Sequence, residues 1–376
     1  MLFTREQLLA DLHQAYRDAR RHKGKKPYVR RFELRLEQNL SELCDELWER
    51  RYKARPSECF LISDPKKREV FAADFRDRIV HHLYYNYTHE LFERTFIRDS
   101  YSCIKGRGTH DGINRLEQHI RRESLNWTLP CWVLKMDIRG YFMHINRERL
   151  LPITLGLLDR MASHCIVNGK TWGECLDMDF LQYLTREVVL LDPTENCRIK
   201  GHLSDWDFLP HDKSLFFSPM GCGLPIGNLT SQLFSNVYLG RLDDYRKRTL
   251  RCRHYGRYVD DFYVVSGSRE WLRSIIPQVR RFLDEELDLM LHEGKVRISS
   301  VSQGVEFLGA YLKPHRRYVS NLTLRRMELK LPTLAFETEP ERLRSRCASF
   351  RGVLSHYKTG WLAAKPVFNI LWKDET

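Results

Sequence analysis

The amino-acid sequence predicts an α+β protein, and three observations carry that expectation. Long stretches place apolar residues three and four apart, and short aromatic or β-branched runs are bounded by turn residues. The two kinds of segment interleave without the strict strand–helix–strand rhythm of a parallel sheet. A length of 376 residues suggests two or three packed units, and 42% hydrophobic with 12% aromatic residues allows a sizeable core.

The elements follow in order. Residues 5–52 read as helical, with Leu8, Leu9, Leu12 and Tyr16 at helical spacing, then Leu36, Leu40, Leu43 and Leu47. The basic stretch from Arg20 to Arg31 reads as a connection between them, solvated or set against a phosphate backbone. Residues 58–73 read as two short strands around a basic turn centred on Pro65. A helix is expected over 77–91, with Ile79, Val80, Leu83 and Tyr87 on one face, and a β-type run over 131–138. Residues 150–215 give weak signals. An amphipathic helix is expected over 228–250 through Leu229, Leu233, Val237 and Leu242. Tyr255–Ser266 is an aromatic and β-branched run, 271–289 is helical, 305–312 is a strand, and the tail 320–376 is helical and basic.

Composition narrows the partners. Lys and Arg number 62 against 49 Asp and Glu, a net charge of +13 that favours a polyanion through counterion release. The first residues hold acids and no apolar signal block, and no run approaches the roughly 18 apolar residues that span a bilayer. The ten cysteines are scattered without C-x-x-C spacing, which argues against a disulfide framework or structural zinc. A cytoplasmic, reduced setting with no membrane partner is expected.

The chemistry lies in three acids. Asp260 and Asp261 sit in RYVDDFYVV, walled by Tyr258, Val259, Phe262 and Tyr263. Adjacent carboxylates in a half-buried β-type run repel unless a cation neutralises them. A tight hairpin turn relieves the propensity problem, and a hard divalent ion the electrostatic one. Asp137 ends a second apolar run, VLKMDIRGYF. One acid at a strand end and two on a hairpin suit a two-metal phosphoryl-transfer site, whose ions lie about 3.5–4 Å apart. Asp243–Asp244, by contrast, reads as solvated surface on the long helix. Residues 221–236, GCGLPIGNLTSQLFSN, read as a side-chain-poor turn into a helix, where backbone can approach a base pair closely.

These blocks together resemble the reverse transcriptases. DIRGYF, GLPIGNLTSQ, RYVDDF, HEGKV and VEFLGAYL stand in that family's order across residues 137–312. Upstream, DPKKREVFAADFRDRIVHHL and YSCIKGRGTHDGI resemble the fingers blocks of bacterial members. The resemblance implies a right-hand polymerase fold with fingers, palm and a helical thumb. Its expected divisions are 1–54, an N-terminal helical extension; 55–312, fingers and palm; and 313–376, the thumb. Group II intron enzymes carry Gln before the second glycine of the middle block and Ser-Pro at its end. Here those positions are Ile226 and Ser231–Gln232. LPIGNLTSQ, preceded by KSLF, is similar to the reverse transcriptases of diversity-generating retroelements. That likeness implies a bacterial or phage enzyme copying template RNA into cDNA, with errors at adenines and replacement of a variable gene segment. It also implies a small, basic, oligomeric accessory protein.

The same resemblance implies roles. Asp137, Asp260 and Asp261, with the backbone carbonyl of Ile138, hold two Mg²⁺ ions, Mn²⁺ being an alternative. Phe142 blocks a ribose 2′-OH. Lys67 and Arg68 grip the dNTP triphosphate, with Lys66 an alternative, and Lys295 serves the leaving pyrophosphate as general acid. Gly227, Ser231 and Gln232 line the nascent pair, and Ile226 removes a polar contact there, weakening discrimination. Arg325, Arg326, Arg344 and Arg351 hold the RNA/DNA primer–template duplex through phosphates. Two alternatives stay open: a group II intron-like or defence-associated reverse transcriptase, and a catalytically silent RNA-binding scaffold.

Overall fold

The computed structural model describes residues 3–63, 66–164, 166 and 169–357. Three helices open it: α1 (Arg5–Arg20), α2 (Pro27–Glu33) and α3 (Leu36–Trp48). The Thr4 hydroxyl caps α1 by accepting from Gln7 N–H at 3.2 Å. The basic connection is shorter than expected, because Pro27 opens α2, a place where a missing N–H costs nothing. These helices share one core with α4 (Phe75–Glu93). Tyr87 donates to Asp11 at 2.6 Å and Tyr52 to Asp77 at 2.8 Å across the junction.

Strands β1 (Ser57–Ile62) and β2 (Arg68–Ala72) form the expected antiparallel pair, Phe60 opposite Val70. Pro65, at the centre of their turn, lies outside the described residues. After α5 (Thr109–Glu123) come β3 (Trp132–Asp137), the short α6 (Tyr141–His144), α7 (Arg147–Ala162), α8 (Trp172–Cys175) and α9 (Met178–Val189). Strand β4 (Cys197–Ile199) then joins β1 in parallel. Three short 3₁₀ turns, Leu203–Trp206, His211–Lys213 and Leu215–Phe217, lead to α10 (Leu229–Asp244).

The central sheet is antiparallel, in the order β5-β6-β3-β7, with β5 (His254–Tyr258), β6 (Asp261–Ser266) and β7 (Arg297–Ser300). Leu134, Met136, Phe262 and Val264 face the core shared with α4, α10 and α11 (Arg269–Leu287). Val133, Tyr263 and Val265 face a second core under α5. Burial on both faces explains the nearly unbroken apolar character of β3. α10 is not the one-sided helix expected, since Leu233, Phe234, Ser235, Asn236, Val237, Tyr238 and Leu239 are all buried. It runs through the centre of the molecule.

The strand expected over 305–312 is two, β8 (Val305–Phe307) and β9 (Ala310–Lys313), because Leu308 and Gly309 both take positive φ and reverse the chain. β10 (Arg316–Val319) completes this sheet, so a division after residue 312 would cut a hairpin. Helices α12 (Asn321–Ala335) and α13 (Pro340–Leu354) meet at Leu334, Leu343 and Cys347. The rest of the tail, 358–376, lies outside the described residues. Among the described residues no helix is long and apolar enough to cross a membrane.

Asp243 is not solvated surface as expected. Its carboxylate is buried and accepts from Arg257 Nη2 at 2.7 Å, Arg257 Nε at 2.9 Å and Tyr255 OH at 2.6 Å. Only Asp244 is exposed. Breaking a buried pair by removing one charge costs about 3–5 kcal/mol, whereas an exposed acid moves stability by about 0.5 kcal/mol or less. Urea denaturation should therefore separate Asp243→Asn from Asp244→Asn by that margin. Equal effects would mean that Arg257 finds another partner.

Candidate active site

The three acids come from two neighbouring strands. β3 and β6 are antiparallel and in register, with Asp137 opposite Asp261 and Lys135 opposite Tyr263. Directly opposed residues share a face, and the period of two adds Lys135 to the face of Asp137. Asp260 stands at the tip of the β5–β6 hairpin, where Tyr258 pairs with Asp261 and only Val259 and Asp260 turn the chain.

That turn is strained. Val259 has φ +56°, a left-handed conformation that a β-branched residue rarely takes and that glycine usually supplies in hairpins. Arg257 holds it, donating from Nη1 to the Val259 carbonyl at 3.1 Å and to Asn236 Oδ1 at 3.1 Å. The same guanidinium is fixed by Asp243. Ile138, buried, follows Asp137 and bridges to Leu291, while the Asp137 carbonyl accepts from His292 N–H at 2.8 Å.

Charge is poorly balanced within this group. Burial first, and the charge of Asp137 second, push the Asp260 carboxyl up to about 7. Burial also pushes Asp261 up to about 6, against the pull of Lys135, whose Nζ lies 3.8 Å from Asp261 Oδ2. Lys295 Nζ donates to Asp137 Oδ1 at 2.7 Å. Among the described residues no three His, Cys, Asp or Glu side chains gather as a ready-made metal-ligand group. The donor set nevertheless fits a hard divalent cation. It is all carboxylate, its anions are unfavourable without positive charge, and an ammonium already stands against Asp137.

A group of cations gathers around Lys66 and shares Lys295 with the acids. Burial lowers the Lys66 pKa, and so do the nearby charges of Lys295, Arg326, Lys213 and Arg68. Five positive groups from the β1–β2 turn, a 3₁₀ turn, the segment before β7 and α12 thus converge. Lys67 instead turns toward Phe208, its Nζ 5.8 Å from the ring centre. Lys66, named only as an alternative to Lys67 and Arg68, is the β1–β2 turn lysine at the centre of this cluster. Lys213 and Lys135 were missed; for Lys135 the i, i+2 spacing from Asp137 was the available signal.

Phe142 and Ile226 pack against the same small cluster of Cys59, Phe71, Met143 and Leu215. Phe71 N–H donates to the Ile226 carbonyl at 3.1 Å, and the Phe142 carbonyl accepts from Leu224 N–H at 2.8 Å. Gly227 has φ +116°, and a Cβ there would lie 2.8 Å from Val70 Cγ1, so only glycine fits against β2. Gln232 is exposed, but Ser231 is buried in the first turn of α10 and does not line an open surface. Arg325, Arg344 and Arg351 are exposed on α12 and α13.

No family model matches the chain. It is similar to Protein YkfC of Escherichia coli (strain K12), 25% identical over 309 residues, covering 73% of this chain and 71% of that protein. Its fold is similar to apo telomerase from Candida tropicalis truncated from the C-terminal domain, with TM-score 0.50, 11% identity and coverage of 70% and 55% of the two chains. Against apo telomerase from Candida tropicalis the TM-score is 0.50 at 10% identity, covering 85% and 56%. The chain thus spans about half the length of those telomerase chains. The likeness is one of fold alone, shared with these telomerase chains.

The raised acids have a measurable consequence. With Asp260 and Asp261 lifted to about 7 and about 6 from unfolded values near 4, the folded state binds protons more readily across that window. Their contribution to stability is therefore lost as pH rises through it. In a chelator at pH 8, Asp260→Asn should raise the melting temperature by about 2–5 °C, and by much less at pH 5. A fall at pH 8 would show that the carboxylate is favourably held without added cations.

Proposed function

We propose that this chain is an RNA-directed DNA polymerase. One observation carries the reading: Asp137 and Asp261 stand opposite each other on adjacent strands, with Asp260 at the tip of the β5–β6 hairpin, and Lys295 and Lys135 stand against Asp137 and Asp261. Acids far apart in sequence are gathered at strand ends, as a site for triphosphate and primer requires.

Asp137, Asp260 and Asp261, with the Ile138 carbonyl, would hold two Mg²⁺ or Mn²⁺ ions. Bound there, such ions activate a primer 3′ oxygen and stabilise departing pyrophosphate. The remaining work falls to the protein. Lys66, Arg68 and Arg326 bind and orient the dNTP triphosphate. Lys295, whose Nζ donates to Asp137 Oδ1, can deliver a proton to the leaving pyrophosphate. Phe142 sits over the sugar and excludes a 2′-OH, and Gly227 lets backbone approach the new pair. Arg325, Arg344 and Arg351 hold the primer–template duplex by its phosphates, a thumb's role.

The finer reading is the enzyme of a diversity-generating retroelement, supported by LPIGNLTSQ and KSLF. It brings template RNA, errors at adenines and a small basic accessory protein. Its physical support is Ile226 itself, an apolar side chain packed against the cluster of Cys59, Phe71, Met143 and Leu215, which brings no hydrogen-bonding group of its own to a templating base.

Primer extension on an RNA template with Mg²⁺ tests the proposal. Wild type should extend, and Asp137→Asn and Asp260→Asn should each lose at least about 10²–10³-fold. RNA binding without incorporation would favour the silent scaffold instead. Sequencing the cDNA tests the finer reading: Ile226→Gln should lower misincorporation opposite adenine several-fold, and an unchanged error spectrum would remove Ile226 as its cause.

A further inference from the structure

The segment 203–220, between β4 and the Gly-Pro turn, is firmly anchored yet openly apolar. Its anchor is Glu69 on β2, a buried carboxylate. Glu69 accepts from Trp206 Nε1 at 2.7 Å, Ser214 Oγ at 2.8 Å and Leu215 N–H at 2.6 Å. Leu215 and Trp206 sink into the small core beside Phe71 and Ile226. From this fixed base, Phe208 is 86% exposed and Phe217 59% exposed. The Phe217 ring stacks on His211 at 4.0 Å and 11°, and Phe216 leans on Phe71 at 5.4 Å.

Rings held this way lose area that a core would bury, so the arrangement calls for an outside occupant. Two features decide which. Cations interleave with the rings: Lys67 faces Phe208, and Lys213 lies within the segment and reaches the cluster around Lys66. A site for an apolar protein surface would be a continuous patch with few charges at its centre. Flat π faces alternating with ammonium groups instead match single-stranded nucleic acid, whose bases stack while its phosphates seek cations. Position agrees, because β2 carries Glu69 on one side and meets Gly227 through Val70 on the other.

We infer that residues 203–220 form a stacking platform for unpaired nucleic acid, which, if the polymerase reading holds, is the template strand next to the nascent pair. The rings of Phe208 and Phe217 take the bases, and Lys67 and Lys213 take the phosphates.

The test is the double variant F208L/F217L in the full chain, because leucine keeps an apolar side chain and removes the stacking face. Anisotropy with a fluorescein-labelled single-stranded RNA should show binding weakened about tenfold or more. Binding of a blunt RNA–DNA duplex should move less than twofold. F208Y/F217Y should keep single-strand affinity near wild type. Single-strand binding that survives the leucine pair within twofold overturns the platform, as does equal weakening toward duplex. Primer extension run in parallel separates the two proposals. A wild type that extends, with unchanged single-strand binding in the leucine pair, defeats the platform alone. A wild type that extends nothing, while the leucine pair still loses single-strand affinity, defeats the polymerase reading alone.

Discussion

The geometry of this site depends on one buried ion pair, Arg257 with Asp243. A guanidinium and a carboxylate out of water carry a desolvation cost of several kcal/mol each, which is offset only when every donor and acceptor is used. Here they are. Asp243 takes two guanidinium nitrogens and the Tyr255 hydroxyl, and Arg257 gives its remaining nitrogen to Asn236 and to the Val259 carbonyl. That last bond reaches the strained tip of the hairpin. A left-handed valine costs on the order of 1–3 kcal/mol and persists only where its surroundings over-determine it. The ion pair supplies that determination, linking the central helix α10 to the turn that aims Asp260.

The acids themselves are held against their own preference. Two carboxyls with pKa values raised to about 7 and about 6 ionise less readily in the folded chain than in the unfolded one. A protein selected for stability alone would put neutral side chains there, and functional sites are where such costs are retained. The nearby ammonium groups relieve the cost only in part. Lys295 takes Asp137, Lys135 approaches Asp261, and neither is hydrogen-bonded to Asp260. Meanwhile burial first, and then the charges of Lys295, Arg326, Lys213 and Arg68, depress the Lys66 pKa. Excess negative charge beside excess positive charge, left unmerged, suits a ligand carrying both signs, such as a metal-bound triphosphate.

Much of this was legible in the residues. Alternation and turn chemistry gave β1–β2, β3 and the β5–β6 hairpin, because short-range rules govern them. The pairing of Asp137 with Asp261 was legible only as a requirement of the chemistry, since register between strands more than a hundred residues apart leaves no local trace. Asp243 and Asp244 show the limit most clearly. Neighbours of identical type have opposite fates, because α10 is enclosed on nearly every side and its polar residues serve as internal ligands. Ser231 fails for the same reason. The Leu308–Gly309 reversal was hidden by apolar residues on both sides of the turn. Segment 203–220 gave no periodic signal, as its order comes from Glu69 on a distant strand.

That dependence on Glu69 makes β2 the strut on which the cleft is assembled. Pleating sends Glu69 and Phe71 toward the 203–220 segment, burying both, while Arg68 and Val70 point to the other side, toward the cation cluster and Gly227. The Phe71 N–H also holds the Ile226 carbonyl. A one-residue slip in the β1–β2 register would exchange the faces, exposing Glu69 and driving Arg68 into the apolar cluster. Register is therefore strongly fixed here, by a carboxylate with three donors on one face and a glycine with no room for a Cβ on the other. The 203–220 segment, Arg68 and the close-packed Gly227 turn are thus all positioned by one strand.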